Sequence, residues 1–109
     1  MEKLSSSLQF DECIQENPLL LVYFSGENCN VCTSLKPKVE ALVHEKFQQI
    51  KLIEVPTGEA PELSARFRVF TVPVVLFFVE GREYLREARL ISIPDLAGKL
   101  DKLIGLYEQ

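Results

Sequence analysis

The chain has 109 residues, 47% hydrophobic and 26% charged, which is enough apolar side chain for one small domain (residues 1–109) with a core of its own. A net charge of −4 argues against a general nucleic-acid surface, which requires a basic field. The N-terminal stretch Met1–Ser7 has neither the basic start nor the long apolar core of a secretory signal, and no apolar run is long enough to cross a bilayer. A cytoplasmic, monomeric protein with no membrane partner is the expectation. Three cysteines, an odd count, do not make the disulfide framework of a small secreted scaffold. In a reducing compartment a close cysteine pair reads as catalytic or metal-binding.

In chain order, a first helix is predicted from about Gln9 or Phe10. Phe10, Cys13 and Ile14 share a face, Asp11 and Glu12 suit a first turn, and Asn17-Pro18 ends the run. Cys13 on that face reads as a small buried hydrophobe, and Ser5-Ser6-Ser7 as a loose terminus or a cap. Leu19 to Phe24 is continuously apolar, as in a central strand covered on both faces. Ser25-Gly26 stops it, and from Cys29 the residues Val31, Leu35, Val39, Leu42, Val43 and Phe47 recur at helical spacing. Pro37 cannot donate to the Thr33 carbonyl and should bend this second helix, while Lys36, Lys38 and Glu40 read as its solvated face.

Ile50 to Val55 is a second strand, and Pro61 opens a short helix carrying Leu63 and Phe67. A helical crossover between strands implies parallel pairing. Val72 to Val79 is a third strand with Pro73 at its mouth, where proline is tolerated. The Glu80-Gly81 turn sends the chain back antiparallel through Arg82 to Leu90, with Arg82, Arg86 and Arg89 expected on one exposed face. Ser92 caps a last helix with a stripe of Leu96, Leu100, Leu103, Ile104 and Tyr107, which Gly98 and Gly105 weaken.

The chemistry concentrates at Cys29-Asn30-Val31-Cys32. A buried strand delivers these thiols to a helix start, where unpaired N–H groups and the helix dipole favour an anion. A thiolate is such an anion, and Cys32 lies three residues on, within reach for a disulfide. The leading reading is a reversible dithiol/disulfide. A zinc site needs four ligands where this pair supplies two, and His44, the only histidine, falls about three turns along the helix. Two chains sharing an iron–sulfur cluster through paired thiols is a further alternative, as is a binding module without catalysis. No glycine-rich phosphate loop is present, and no histidine adjoins Cys29 to make a Cys–His pair.

Over nearly its whole length the chain resembles the thioredoxin superfamily. The resemblance is carried by the strand running into Cys29-Asn30-Val31-Cys32, by Pro37 five residues later, by Thr71-Val72-Pro73 opening a strand, and by the hairpin at Gly81. It implies a three-layer α/β/α sandwich whose mixed central sheet ends in an antiparallel hairpin. It implies a thiol–disulfide oxidoreductase without a cofactor beyond its cysteines and without a metal. Cys29 would attack, Cys32 would resolve, Pro73 would be cis, and Val72 would offer main-chain groups to substrate, with Asn28, Asn30 and Val31 completing the contact surface. The implied partners are disulfide-containing proteins and an electron donor such as a thioredoxin reductase or the glutathione system. Five positions depart from the family. Asn28 replaces the usual Trp, Asn30-Val31 the Gly-Pro, Tyr23 a buried Asp, and Arg89 a late glycine. These departures motivate the alternative in which a groove at Cys29 and Pro73 docks a partner without turnover. Glu27 would oppose ionisation of Cys29, with Lys36 and Lys51 as candidate counter-charges.

Overall fold

A computed structural model describes all residues, 1–109. The elements are β1 (Glu2–Lys3), α1 (Ser7–Glu16), β2 (Leu19–Ser25), α2 (Asn30–Lys46), β3 (Lys51–Pro56), α3 (Pro61–Arg66), β4 (Val74–Val79), β5 (Arg82–Ala88) and α4 (Ile93–Tyr107). They build one five-stranded sheet in the order β1-β3-β2-β4-β5. β1 and β2 run parallel to β3, whereas β2–β4 and β4–β5 are antiparallel, so the sheet is mixed and ends in a hairpin.

The continuous apolar runs sit where they can be covered twice. All seven residues of β2 and all six of β4 are buried. Leu21, Tyr23, Val75 and Phe77 face Leu35 and Val39 of α2 and Leu96 and Leu100 of α4. Leu20, Val22, Phe24 and Leu76 face Phe10 of α1 and Leu63 of α3. This is a three-layer α/β/α arrangement in which β2, at the centre, points its C-terminal end at the start of α2.

Several boundaries differ from the sequence expectation, each for a local reason. α1 starts earlier, at Ser7, because the Ser6 hydroxyl accepts from the Gln9 N–H at 3.1 Å and caps it. Asp11 and Glu12 therefore lie beyond the first turn. β1 has only two residues and no apolar alternation to betray it, and the pairing continues as Leu4 N–H donates to the Glu54 carbonyl at 2.9 Å. β4 begins at Val74 instead of Val72, since Pro73 has no N–H for a ladder. The Val72–Pro73 peptide is cis. At the hairpin tip Glu80 and Gly81 both take positive φ, 49° and 81°, the turn whose twist matches the flanking strands. β5 ends at Ala88, where Arg89 turns left-handed at φ 65°. The three arginines do not share one face: a bulge opposite Phe77 and Phe78 puts Arg82, opposite Val79, and Arg86, opposite Leu76, on opposite sides of the sheet. Pro37 lies within α2 on the exposed side, and the helix continues through it. Solvent there can serve the Thr33 carbonyl that loses its donor.

Two side chains fasten the beginning of α2 to the sheet. Tyr23, fully buried on β2, donates its hydroxyl to the Cys32 carbonyl at 2.6 Å. Glu54, its register partner on β3 and also buried, accepts from the Ser25 hydroxyl at 2.7 Å. Lys36 Nζ stands 2.8 Å from the other carboxylate oxygen, a charge-assisted contact. Lys36 therefore does not belong to the solvated face on which the helical spacing placed it. Its pairing joins α2, one turn past Cys32, to β3.

Burial pushes the Glu54 carboxyl up, but the contacts from Lys36 and Ser25 outweigh that and hold it below its ordinary 4.5. A depressed carboxyl stabilises the fold above its unfolded-state value, and the contribution fades as pH falls through the folded-state value. Glu54→Gln should cost about 1–3 kcal/mol at neutral pH. In urea melts from pH 7 downward, the gap between variant and parent should close only below 4.5. A gap that does not vary with pH would contradict the charge pairing. Tyr23 behaves oppositely, since burial and then the Glu54 charge push its phenol from 10 up to about 12. Unfolded chains ionise that phenol first, so its contribution is full below pH 10 and is lost as pH rises towards 12. Alkaline titration followed by tyrosinate absorbance should show Tyr23 ionising only with unfolding. Tyr23→Phe should abolish that late phase while lowering stability at pH 7 by about 1 kcal/mol.

Candidate active site

The site lies at the C-terminal end of β2, the N-terminus of α2 and the mouth of β4. Cys29 is the N-cap of α2, with non-helical φ −108° and ψ 96°, and its sulfur accepts from the Cys32 N–H at 3.1 Å. A sulfur atom thus occupies the capping place that Ser or Asp would usually take. Cys29 and Cys32 form a disulfide with Cα atoms 5.2 Å apart, inside the ordinary range for such a bond. The two sulfurs are unequal, because Cys29 is half-buried while Cys32 is buried at 3% exposure. Thr33 reinforces the first turn, its N–H and hydroxyl both reaching the Cys29 carbonyl at 3.2 Å.

The loop before the disulfide is tight. Asn28 takes φ 55°, a left-handed conformation that asparagine tolerates better than most residues. A Cβ on Gly26 would come within 2.9 Å of a Val72 side-chain methyl, so glycine here lets the β2–α2 loop press against the segment before Pro73. Pro73 is buried, and its carbonyl accepts from the Arg89 N–H at 3.0 Å, which brings the end of β5 to the same place. Of the residues singled out in the sequence, the disulfide joins Cys29 to Cys32, and their loop lies at Gly26 against Val72, the residue before Pro73. Asn28, Asn30 and Val31 are exposed around them.

Sequence reasoning missed Glu54, whose signal was the single acid within Ile53-Glu54-Val55. Phe70 and Leu90 were missed too, at 83% and 91% exposure on segments flanking Pro73. Lys36 goes to Glu54 and Lys51 pairs with Glu2 at 3.1 Å, so neither is free to offset Glu27. Cys13 is buried in the opposite layer, where desolvation pushes its thiol up. His44 is exposed in the last turn of α2, and no three His, Cys, Asp or Glu side chains converge on a metal position. The two largest clefts, about 570 Å³ each, lie along the C-terminal half of α2, far from the disulfide. Their size counts for less than the chemistry at the other end of that helix. A smaller polar cleft of about 190 Å³ runs from Glu54 and Ser25 to Gly26 and Glu27. No helix is long and apolar enough to cross a membrane.

Comparison with known proteins agrees with this geometry. The thioredoxin-like protein YdfQ of Bacillus subtilis is 36% identical over 108 residues, covering 99% of this chain and 96% of that one. Thioredoxin H2 of Arabidopsis thaliana is 31% identical over 88 residues, covering 77% of this chain and 65% of its own. Among solved structures, Fasciola hepatica thioredoxin superposes with a TM-score of 0.86 at 25% identity, covering 94% of this chain and 98% of that one. The thioredoxin family model matches residues 2–97. With the fold, the disulfide and these relatives in agreement, the chain belongs to the thioredoxin family.

Proposed function

We propose that this protein is a thiol–disulfide oxidoreductase that reduces disulfides in other proteins. The observation that carries the reading is the inequality of the two sulfurs. One is half-exposed at a helix N-cap and the other is buried one turn deeper, yet both are within bonding distance. The helix terminus favours the thiolate of Cys29, whereas burial keeps Cys32 protonated until it is needed. In the reduced protein the Cys29 thiolate attacks one sulfur of a substrate disulfide. The substrate S–S bond breaks, a Cys29–substrate disulfide forms, and the first substrate sulfur leaves as a thiolate that takes up a proton. Cys32 then loses its proton and attacks the Cys29 sulfur. The Cys29–Cys32 bond forms and the second substrate thiol departs. Two electrons pass to the substrate, and a dithiol reductase or the glutathione system restores the pair.

Asn28, Asn30, Val31, Val72 and Pro73 border the path to Cys29 and are proposed as the substrate-contact residues. A reducing compartment such as the cytoplasm, with the chain acting as one monomeric domain, suits a dithiol that must be re-reduced after each cycle. The formed disulfide favours this reading over docking without turnover, because a docking groove has no use for a second thiol.

Turnover of a disulfide-bonded protein with dithiothreitol as reductant tests the proposal. Cys29→Ser should reduce the rate to the uncatalysed background. Cys32→Ser should accumulate a mixed disulfide on Cys29, visible as a mass increase that excess reductant reverses. A Cys29→Ser variant that retains the parental rate would refute the mechanism.

A further inference from the structure

Beside the disulfide lies a surface whose composition differs from the chain as a whole. The segment from the end of α3 to Pro73 runs along the end of β5 and is tied to it at two points. Arg86 donates to the Phe67 carbonyl at 2.8 Å, and the Arg89 N–H donates to the Pro73 carbonyl at 3.0 Å. Phe70 stands between these ties and Leu90 just beyond the second, 83% and 91% exposed. Two exposed arginines accompany them, Arg68 two residues before Phe70 and Arg89 immediately before Leu90. Neither makes an ion pair, whereas the acids of β5 are already engaged, Glu83 with Arg86 at 2.9 Å and Glu87 with Lys99 at 2.6 Å. In a chain of net charge −4, the Pro73 side of the site thus presents two free cations around two bare apolar side chains. Across the disulfide, on the loop before Cys29, Glu27 is exposed and unpaired. The rim is therefore negative on one side and positive on the other.

We infer that Arg68 and Arg89, with Phe70 and Leu90, form a recognition surface for acidic, disulfide-bearing segments of partner proteins that carry an apolar residue beside the reactive cysteine. The inference rests on the exchange reaction proposed above and adds the class of substrate. Apolar contact with Phe70 and Leu90 supplies area without preference for charge, and the two guanidinium groups, with no acid of this chain to satisfy them, supply the preference. Glu27 sets the orientation, because a partner with carboxylates on both sides of its cysteine would meet repulsion at one end.

The test uses two synthetic peptides, each with one cysteine as a mixed disulfide with thionitrobenzoate and a leucine beside it. One has glutamates on a single side of the cysteine and the other has lysines at the same positions. Release of thionitrobenzoate by the reduced protein is measured, and each rate is normalised to the rate with dithiothreitol alone. At low salt the acidic peptide should react about threefold to tenfold faster, the range that one or two exposed ion pairs supply. The ratio should approach one in about 1 M salt, where screening acts within roughly 3 Å. Arg68→Glu combined with Arg89→Glu should invert the preference. Arg82→Glu, which carries the same charge change per substitution at the far end of β5, should keep it. The ratio is internal to each variant, so a general loss of activity does not mimic the effect. Equal normalised rates at low salt, or a preference that survives either 1 M salt or the double substitution, would overturn the inference while leaving the exchange reaction standing. If neither peptide shows protein-dependent turnover, the exchange reaction itself fails.

Discussion

The site depends on one sulfur atom having two partners. Cys29 Sγ is bonded to Cys32 and also accepts the Cys32 N–H, so the group that caps α2 is the group proposed to react. A capped helix end is worth on the order of 1 kcal/mol, and a negative charge at that place interacts favourably with the dipole as well. The geometry that suits the thiolate is therefore the geometry that begins the helix. It requires β2 to end at Ser25 and the chain to turn within four residues, which brings Asn28 to a positive φ and leaves no room for a Cβ at Gly26. Strand end, loop and helix start are a single constraint.

Glu54 acts on both borders of that loop, taking the Ser25 hydroxyl before it and Lys36 after it. A buried ion pair seldom adds much net stability, because desolvation offsets most of the attraction. What this one fixes is position: α2 cannot slide along the sheet without leaving a charge unpaired in a buried place. Tyr23 adds a second fastening directly beneath Cys32, and its phenol stays protonated at working pH. The side chain under Cys32 thus holds the main chain and offers no base there, while the carboxylate of this layer stands one strand away, already engaged by two donors.

The periodic segments and the thiol pair were legible in the sequence because both announce themselves locally. Leu19 to Phe24 and Val74 to Val79 are continuous because both faces of β2 and β4 are covered, and the stripes of α2 and α4 follow from packing on one face only. Cys29 and Cys32 could be read from spacing, since three residues of helix set the separation of their Cα atoms. What could not be read depends on partners distant in the chain. Two-residue β1 exists only because β3 offers an edge, and Lys36 looks like any solvated lysine until β3 brings Glu54 beneath it. The clustering of Phe70, Leu90, Arg68 and Arg89 needs the end of β5 to meet Pro73, a contact between segments with no shared pattern.

The backbone itself separates the ordinary turn from the unusual ones. At the hairpin tip positive φ falls on Gly81, the inexpensive choice, and on Glu80 at 49°; away from it Asn28, Arg68 and Arg89 take φ values of 55°, 55° and 65° with full side chains. Each left-handed non-glycine residue costs about 1–2 kcal/mol. Asn28 and Arg89 directly border the disulfide and Pro73, and Arg68 begins the segment that leads to Pro73. Glycine would relieve the strain at Arg68 and Arg89 but would remove two cations that stand in no ion pair. The two left-handed arginines thus stand on the segments that meet at Pro73, the side of the disulfide on which the recognition surface is proposed.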